Sequence, residues 1–142
     1  FTTENVKTRV ACERRLAIET HAMMPDPPSS QHMMVCGNTV TFVAISTMIG
    51  LIEELGFGTT SMFINRARVH DFRILSRDLV TPYPKEFSIS SGIQFNIEGV
   101  DVVVLEGIHK DTFILCASVD NLGKKLDEPV AFVFHVETLI HR

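Results

Sequence analysis

The most apolar stretch of the chain runs from Thr39 to Leu55. Its apolar residues are too dense for one stripe of a helix: Val40, Phe42, Val43, Ala44, Ile45, Met48, Ile49, Leu51, Ile52 and Leu55. A helix that is apolar nearly all round is buried rather than lying on a surface. Gly37-Asn38-Thr39 offers N-cap acceptors and Gly56 favours a helix end, so the pattern predicts a buried helix over Thr39–Leu55. The β-branched residues leave a strand over Thr39–Ile45 as the alternative.

The rest of the chain shows the alternation and turn residues that are typical of β-strands. Pro25, Pro27 and Pro28 predict a loop over His21–His32. Turns are expected at Glu98-Gly99 and Asp120–Gly123, and Gly92 is a candidate for a bulge. The predicted strands are Val10–Thr20, Thr60–Phe72, Phe87–Ile97, Val100–Glu106, Thr112–Asp120 and Val130–Ile140.

One helix followed by about five strands predicts an α+β fold, with an antiparallel sheet curled around the helix. The chain has 142 residues, which is the usual size of a single domain, so we expect one domain over 1–142. Hydrophobic residues make up 45% of the chain and charged residues 21%, which is ordinary for a globular protein with a core.

Charge and cysteine content narrow the class of protein. The net charge of −4 gives no electrostatic footprint for a nucleic-acid backbone. The longest apolar run is shorter than the ~18 to 20 residues of a membrane span, and the first residues lack the basic-then-apolar pattern of a signal segment. Cys12, Cys36 and Cys116 form no CxxC pair and no zinc spacing, and each is expected to be a small buried hydrophobe. We therefore expect a cytoplasmic protein without a metal site.

Three pieces of sequence resemble the hotdog-fold acyl-CoA thioesterases. The first is Gly37-Asn38 before the predicted helix with Ile52-Glu53 on it, which is similar to one branch where an Asn precedes the central helix and an acid lies on it. The second runs from Ser61 to Val80 and resembles the strand that follows the helix in that family. The third is Phe113–Lys124, which resembles the late strand and its turn. Together they cover about half of the chain.

The resemblance implies hydrolysis of a thioester of coenzyme A, with Asn38 and Glu53 as catalytic residues. Such a reaction needs donors for the developing oxyanion and a general base for water. The amides at a helix start, with Gly37 and Thr39 beside the substrate, supply the donors. A carboxylate in apolar surroundings has a raised pKa, which makes Glu53 the candidate base. His70 is the further candidate, as a base or as the residue that orients water.

The arginines after the helix have two interpretations. Arg66 and Arg68, together with Arg73 and Arg77, could form a solvated strand face, or they could bind the phosphates of coenzyme A. Coenzyme A would then be part of the substrate, and no separate cofactor is expected. The candidate substrate-binding residues are Gly37, Thr39, Arg66 and Arg68.

The spacing of Asn38 and Glu53 predicts a homodimer. Fifteen residues of helix span about 22 Å at ~1.5 Å per residue, so the two side chains do not meet within one subunit. Two antiparallel subunits would bring the Asn of one toward the acid of the other. Two alternatives remain: a non-catalytic hotdog-like or other α+β module that binds an acyl chain or a protein, and a hydratase or dehydratase that uses His21 or His32.

Overall fold

The computed structural model describes residues 3–23, 32–35, 40–75, 80–82 and 92–138. Within these ranges there are three α-helices, α1 (Thr3–Ala22), α2 (Phe42–Glu54) and α3 (Val69–Arg73), and a 3-10 turn at Arg66–Arg68. The strands are β1 (His32–Val35), β2 (Phe57–Ile64), β3 (Val80–Pro82), β4 (Ile93–Ile97), β5 (Val100–Val104), β6 (Thr112–Asp120) and β7 (Lys125–Thr138).

The described strands form one sheet in the order β1-β7-β6-β2-β5-β4-β3. Strand β2 lies at its centre, antiparallel to β6 and parallel to β5. Strand β1 is parallel to β7. The remaining three pairs, which are β3–β4, β4–β5 and β6–β7, are antiparallel. The predicted α+β class is confirmed. The prediction of a purely antiparallel sheet is wrong, because two of its six neighbouring pairs are parallel.

Successive residues of the central strands point to opposite faces of the sheet, and a helix covers each face. On one face, Met62 and Leu115 pack with Ile45 and Met48 of α2. On the other face, Phe63, Ile114 and Cys116 form a second cluster with Val10 and Ala17 of α1. Two apolar clusters, separated by the sheet, therefore replace the single helix-centred core that the sequence predicted.

The prediction of a first strand over Val10–Thr20 is wrong, since these residues belong to α1. Among residues 6–22 of α1, the fully buried ones are Val10, Glu13 and Ala17, whose spacing of three and four residues is that of one helix face. Because the middle of these positions is a carboxylate, the buried stripe does not appear as an apolar pattern in the sequence.

Helix α2 confirms the predicted helix in part. It starts at Phe42, and its N-cap is Thr41, whose hydroxyl accepts from the Ala44 N–H at 3.2 Å. It ends before Gly56, which has a φ of +94° and so adopts the left-handed conformation that stops helices. The predicted capping segment, Gly37-Asn38-Thr39, lies outside the described part of the chain. The prediction that this helix is buried on nearly all sides is wrong, because its side away from the sheet is exposed: Val43, Leu51 and the C-cap Leu55 are 72%, 42% and 63% exposed.

The predicted strand Thr60–Phe72 combines two different structures. Strand β2 ends at Ile64, and the Asn65 side chain then accepts from the Ala67 N–H at 2.8 Å, which starts the 3-10 turn leading into α3. A side chain that caps a turn competes with the pairing of a strand, so Asn65 ends β2. Helical residues occupy the second half of the predicted strand.

The later strands follow the predictions more closely. Strand β6 has the predicted bounds, whereas β5 ends two residues earlier than predicted and β7 begins five residues earlier. Of the predicted strand Phe87–Ile97, only Ile93–Ile97 is shown as strand, and residues 83–91 lie outside the described ranges. Gly92 has a φ of +81°, and the pairing of β4 with β5 shifts register between Ile93 and Phe95, beside the predicted bulge.

Both predicted turns are present. Glu98 and Gly99 have positive φ values of 52° and 80°, and they join β4 to β5. At the β6–β7 turn, the Asp120 carboxylate accepts from the Leu122 and Lys124 N–H groups at 2.9 and 2.8 Å. These backbone hydrogen bonds favour the ionised carboxylate and lower the pKa of Asp120 below its ordinary value.

Candidate functional site

A buried ionic cluster lies where α2 begins. Arg68 donates through Nη1 to Asp71 Oδ2 at 3.2 Å and through Nη2 to Asp111 Oδ1 at 2.6 Å, while its Nε donates to the Lys110 carbonyl at 2.9 Å. Asp71 Oδ2 also accepts from the Val40 N–H at 3.2 Å. Helix α3 is thereby tied to the start of α2. The Arg68 side chain is 9% exposed and pairs with two carboxylates, so it belongs to a buried ionic contact, and its binding of a coenzyme A phosphate stays a prediction.

Arg66, His70 and Arg73 are exposed side chains next to this cluster in the sequence. Arg66 forms a salt bridge with Glu106 at 2.9 Å, and both side chains are about 70% exposed. His70 and Arg73 are exposed on α3 on either side of Asp71. A surface ion pair of this kind is weak, because both partners keep most of their hydration. Arg66 therefore stays available to an anionic ligand.

Glu53 lies at the opposite end of α2. Its side chain is exposed, and its carbonyl accepts from the Asn121 side-chain amide at 3.3 Å, which places it beside the β6–β7 turn. The thirteen residues of α2 span about 20 Å at ~1.5 Å per residue. Within one protomer, Glu53 is therefore separated by the length of the helix from His70 and the arginines. The Glu53 side chain is exposed, so the apolar surroundings that were expected around it are not present among the described residues.

The remaining predicted residues are only partly placed. Gly37, Asn38 and Thr39 lie outside the described residues, as does the side chain of His32. His21 lies at the end of α1, where its Nε2 accepts from the His109 N–H at 3.3 Å. Among the cysteines, Cys12 is exposed on α1, which contradicts the expectation of a buried residue, whereas Cys116 is buried as expected.

A continuous strip of exposed and partly exposed residues runs along α2 from its start to its end and forms its exposed face. Val43, Thr47, Gly50 and Glu54 follow one another along it at intervals of three and four residues, and Leu51 flanks them. A Cβ atom built on Gly50 has no heavy atom within 4 Å, so this part of the helix surface is open. Leu122, which is 91% exposed at the β6–β7 turn, lies next to the Glu53 end. Along this face, small and apolar residues lie between the N-cap Thr41 and the acidic pair Glu53 and Glu54.

Under α1 lies a second polar cluster, which the sequence did not indicate. Arg9 donates to Glu13 at 2.6 Å, to the Ser61 hydroxyl at 2.9 Å and to Asp101 Oδ2 at 2.5 Å. Glu13 also accepts from the Ser61 hydroxyl at 3.0 Å and from Thr60. The only trace of it in the sequence is the four-residue spacing of Arg9 and Glu13, which has meaning only once the segment is known to be helical.

Two residues complete this second cluster. Asn96 donates through Nδ2 to Asp101 Oδ1 at 3.1 Å, so Asp101 is held from α1 and from β4. Cys116 donates through Sγ to the Glu13 carbonyl at 3.7 Å. Burial, and to a lesser degree the nearby Glu13 carboxylate, raise the pKa of the Cys116 thiol far above its ordinary value, whereas Arg9 opposes this shift. Cys116 is therefore a protonated, buried thiol and not a poised nucleophile.

Comparisons with known proteins do not assign the chain to a family. No family model, no curated protein and no solved structure matches it. In the part of the chain that the structure describes, no helix has the length and apolar character needed to cross a membrane, and no group of three His, Cys, Asp or Glu side chains is placed to hold a metal ion.

Proposed function

We propose that this protein hydrolyses acyl-CoA thioesters as a homodimer of hotdog-like subunits, with each active site built from the start of α2 in one protomer and Glu53 of its partner. The observation that carries the proposal is the exposed face of α2. It runs from the helix start, where Val40 is hydrogen-bonded to Asp71 of α3, to Glu53. Neither end of the helix holds a complete site by itself, but an antiparallel pair of helices would join the two ends twice.

The charges along the helix favour a second copy in an antiparallel orientation. If two α2 helices cross at Thr47, Val43 of one lies opposite Leu51 of the other, by simple symmetry of the residue numbers. The same symmetry brings Glu53 and Glu54 of each copy to the start of the partner helix. Acidic groups are stabilised at the positive end of a helix dipole, and Arg73 is exposed on α3, which Asp71 links to the start of α2.

The chemistry at each joined end would use different groups for different tasks. The Phe42 and Val43 amides belong to the first turn of α2, have no partner within the helix and would donate to the thioester oxygen. Asn38, with Gly37 and Thr39, precedes this turn and would hold the water or the carbonyl. Burial of Glu53 in the dimer would raise its pKa and make it a general base. Arg66 would bind a phosphate of coenzyme A, and His70 would orient the water.

Thiol release from a panel of acyl-CoA substrates tests the reaction. We expect Glu53→Gln to lower kcat by about 100-fold or more, because it removes the general base. The matched control is Glu54→Gln, which changes the neighbouring exposed carboxylate and should keep most of the activity. Absence of thiol release from every acyl chain would exclude the reaction, and equal activity of wild type and Glu53→Gln would exclude the site.

Mixing two inactive variants tests whether the site spans two subunits. Glu53→Gln and Asn38→Ala homodimers would each lack one half of every site. After random exchange of subunits, half of the dimers would carry one intact site, so about a quarter of the wild-type activity should return. Failure of mixed subunits to recover activity, when exchange is shown by mass spectrometry, would exclude a shared site.

A non-catalytic module that binds a protein partner or an acyl chain is the second candidate. It is favoured by the ionic cluster of Arg68, because the most buried of the predicted substrate-binding side chains is occupied by Asp71 and Asp111. A dimer that releases no thiol would support this candidate.

A further inference from the structure

Helix α1 packs on strands β2, β6 and β7 through a partly polar surface. Among its residues 6–22, the fully buried side chains are Val10, Glu13 and Ala17, while Val6 and Leu16 are partly buried against the same cluster and Ile18 is half-exposed. Helix α2, although shorter, buries five apolar residues: Ala44, Ile45, Met48, Ile49 and Ile52. Hydrophobic stabilisation follows the apolar area that is removed from water, so α1 is held by less of it than α2. Helix α1 is therefore held less by apolar burial, and more by polar contacts, than α2.

The polar contacts of α1 are divided between the helix and the sheet. Arg9 and Glu13 pair one helical turn apart, at 2.6 Å, and would stay paired if α1 moved away. The salt bridge of Arg9 to Asp101, at 2.5 Å, joins α1 to β5. On the sheet side, Asp101 keeps its hydrogen bond from Asn96. Separation would also break the hydrogen bonds of Ser61 with Arg9 and of Thr60 and Ser61 with Glu13. Arg9 and Asp101 would each keep one partner, which lowers the cost of breaking their salt bridge.

The two apolar clusters lie on opposite faces of the sheet. The cluster under α2 shares no member with the cluster under α1. Loss of α1 would uncover one face, including Phe63, Ile114 and Cys116, but the packing of α2 on the other face would remain. Proteins commonly open in such cooperative parts at a free energy below that of global unfolding.

We propose that α1 is a cap that opens as a unit while the rest of the domain stays folded, with the Arg9–Asp101 salt bridge as its latch. Opening uncovers an apolar sheet face with Thr60, Ser61 and Asp101 among its polar groups. Cys116 reports the opening directly, because its thiol lies beneath α1 and contacts the Glu13 carbonyl.

Thiol labelling of Cys116 under native conditions measures this opening. In a Cys12→Ser/Cys36→Ser background Cys116 is the single thiol, and its reaction with a disulfide reagent is compared with global unfolding in urea. We expect the labelling rate of Cys116 to be at least tenfold higher than the rate calculated for exposure by global unfolding alone. Asp101→Asn removes the charge of the latch with little change of shape and should speed labelling by about 10- to 100-fold.

Ile45→Val is the matched variant on the opposite face. It removes one methyl group from α2, which should shift the global unfolding equilibrium by about fivefold. If α1 opens separately, α2 is packed before and after opening, so the labelling of Cys116 stays at the rate of the background protein. If Ile45→Val raises the labelling rate by the same factor as the global unfolding equilibrium, α1 does not open separately, and this result does not depend on whether the Asp101 variant folds. An unchanged rate in a folded Asp101→Asn protein would overturn the latch.

Discussion

Arg66 and Arg68 lie two residues apart, but their surroundings are opposite. The side chain of Arg66 is 70% exposed and meets one carboxylate, whereas that of Arg68 is 9% exposed and meets two. A buried charge that loses its partner keeps its desolvation penalty, while a surface charge returns to water. The same residue type therefore has a structural role at one position and remains available to a ligand at the other.

Methionine substitutions separate these two roles. Arg68→Met leaves Asp71 and Asp111 without their cation and should lower the free energy of unfolding by about 3 to 5 kcal/mol. The matched change Arg66→Met should alter it by less than about 1 kcal/mol. Urea denaturation followed by circular dichroism measures both. Similar losses in the two variants would show that the buried cluster does not stabilise the fold.

Single residues also show where sequence reasoning reaches its limit. Asp71 lies three residues after Arg68, whereas Asp111 lies forty-three residues away in the turn before β6. The contact of Arg68 with Asp111 therefore leaves no local pattern in the sequence. Glycine positions were easier to predict, since Gly56 and Gly99 have the positive φ that few other residues adopt.

At the scale of elements, periodicity predicted structure well where one type of residue filled the buried positions. Strand β6 is apolar or small over most of its length, and its predicted bounds are confirmed. The same approach did not predict helix α1, because Arg9 and Glu13 lie on the face that packs on the sheet and apolar residues alone do not show the helical period. The strand predicted over Thr60–Phe72 failed at Asn65, where one capping hydrogen bond changes the structure.

The start of α2 gives a prediction at this scale. Thr41, and not the expected Asn38 or Thr39, accepts the first-turn N–H of Ala44. Thr41→Ala should lower the free energy of unfolding by about 1 kcal/mol, because an amide of the first turn loses its acceptor. Thr41→Ser keeps the hydroxyl and is the matched control. Thermal or urea unfolding compares them, and an equal loss in both variants would mean that the methyl group, not the cap, stabilises this end.

At the scale of the whole molecule, the sequence predicted the class but not the arrangement. The dense apolar helix and the strands that follow it indicated α+β. Which strands run parallel depends on crossings such as that between β2 and β5, which are set by packing and leave no local signal. The second helical layer was missed together with α1. The candidate site residues also lie apart within one chain, since the length of α2 separates Glu53 from the groups at the helix start.

A dimer that packs through the exposed face of α2 would bring Glu53 of one copy next to the helix start of the other. The all-round apolar character that predicted a buried helix leaves Val43 and Leu51 uncovered in the protomer. If a second copy packs there, Leu51→Glu should convert the dimer to a monomer, because it places a carboxylate in an apolar contact. Ile18→Glu is the matched control, since Ile18 is also half-exposed but lies on α1, across the sheet from α2.

Gly50→Ala gives the sharper test, because it should raise the stability of an isolated chain but lower the stability of a dimer that packs through α2. A Cβ atom at Gly50 meets nothing within 4 Å in the protomer, so alanine should stabilise a monomer by about 0.5 to 1 kcal/mol through its higher helix propensity. In an antiparallel pair that crosses near Thr47, the same methyl group lies between two helices and holds them apart. We expect dissociation to become easier in sedimentation experiments while the isolated protomer unfolds at a higher urea concentration. If the wild type sediments as a monomer at tens of micromolar, or if Gly50→Ala and Leu51→Glu leave a dimer intact, α2 is not the interface and the shared active site is excluded with it.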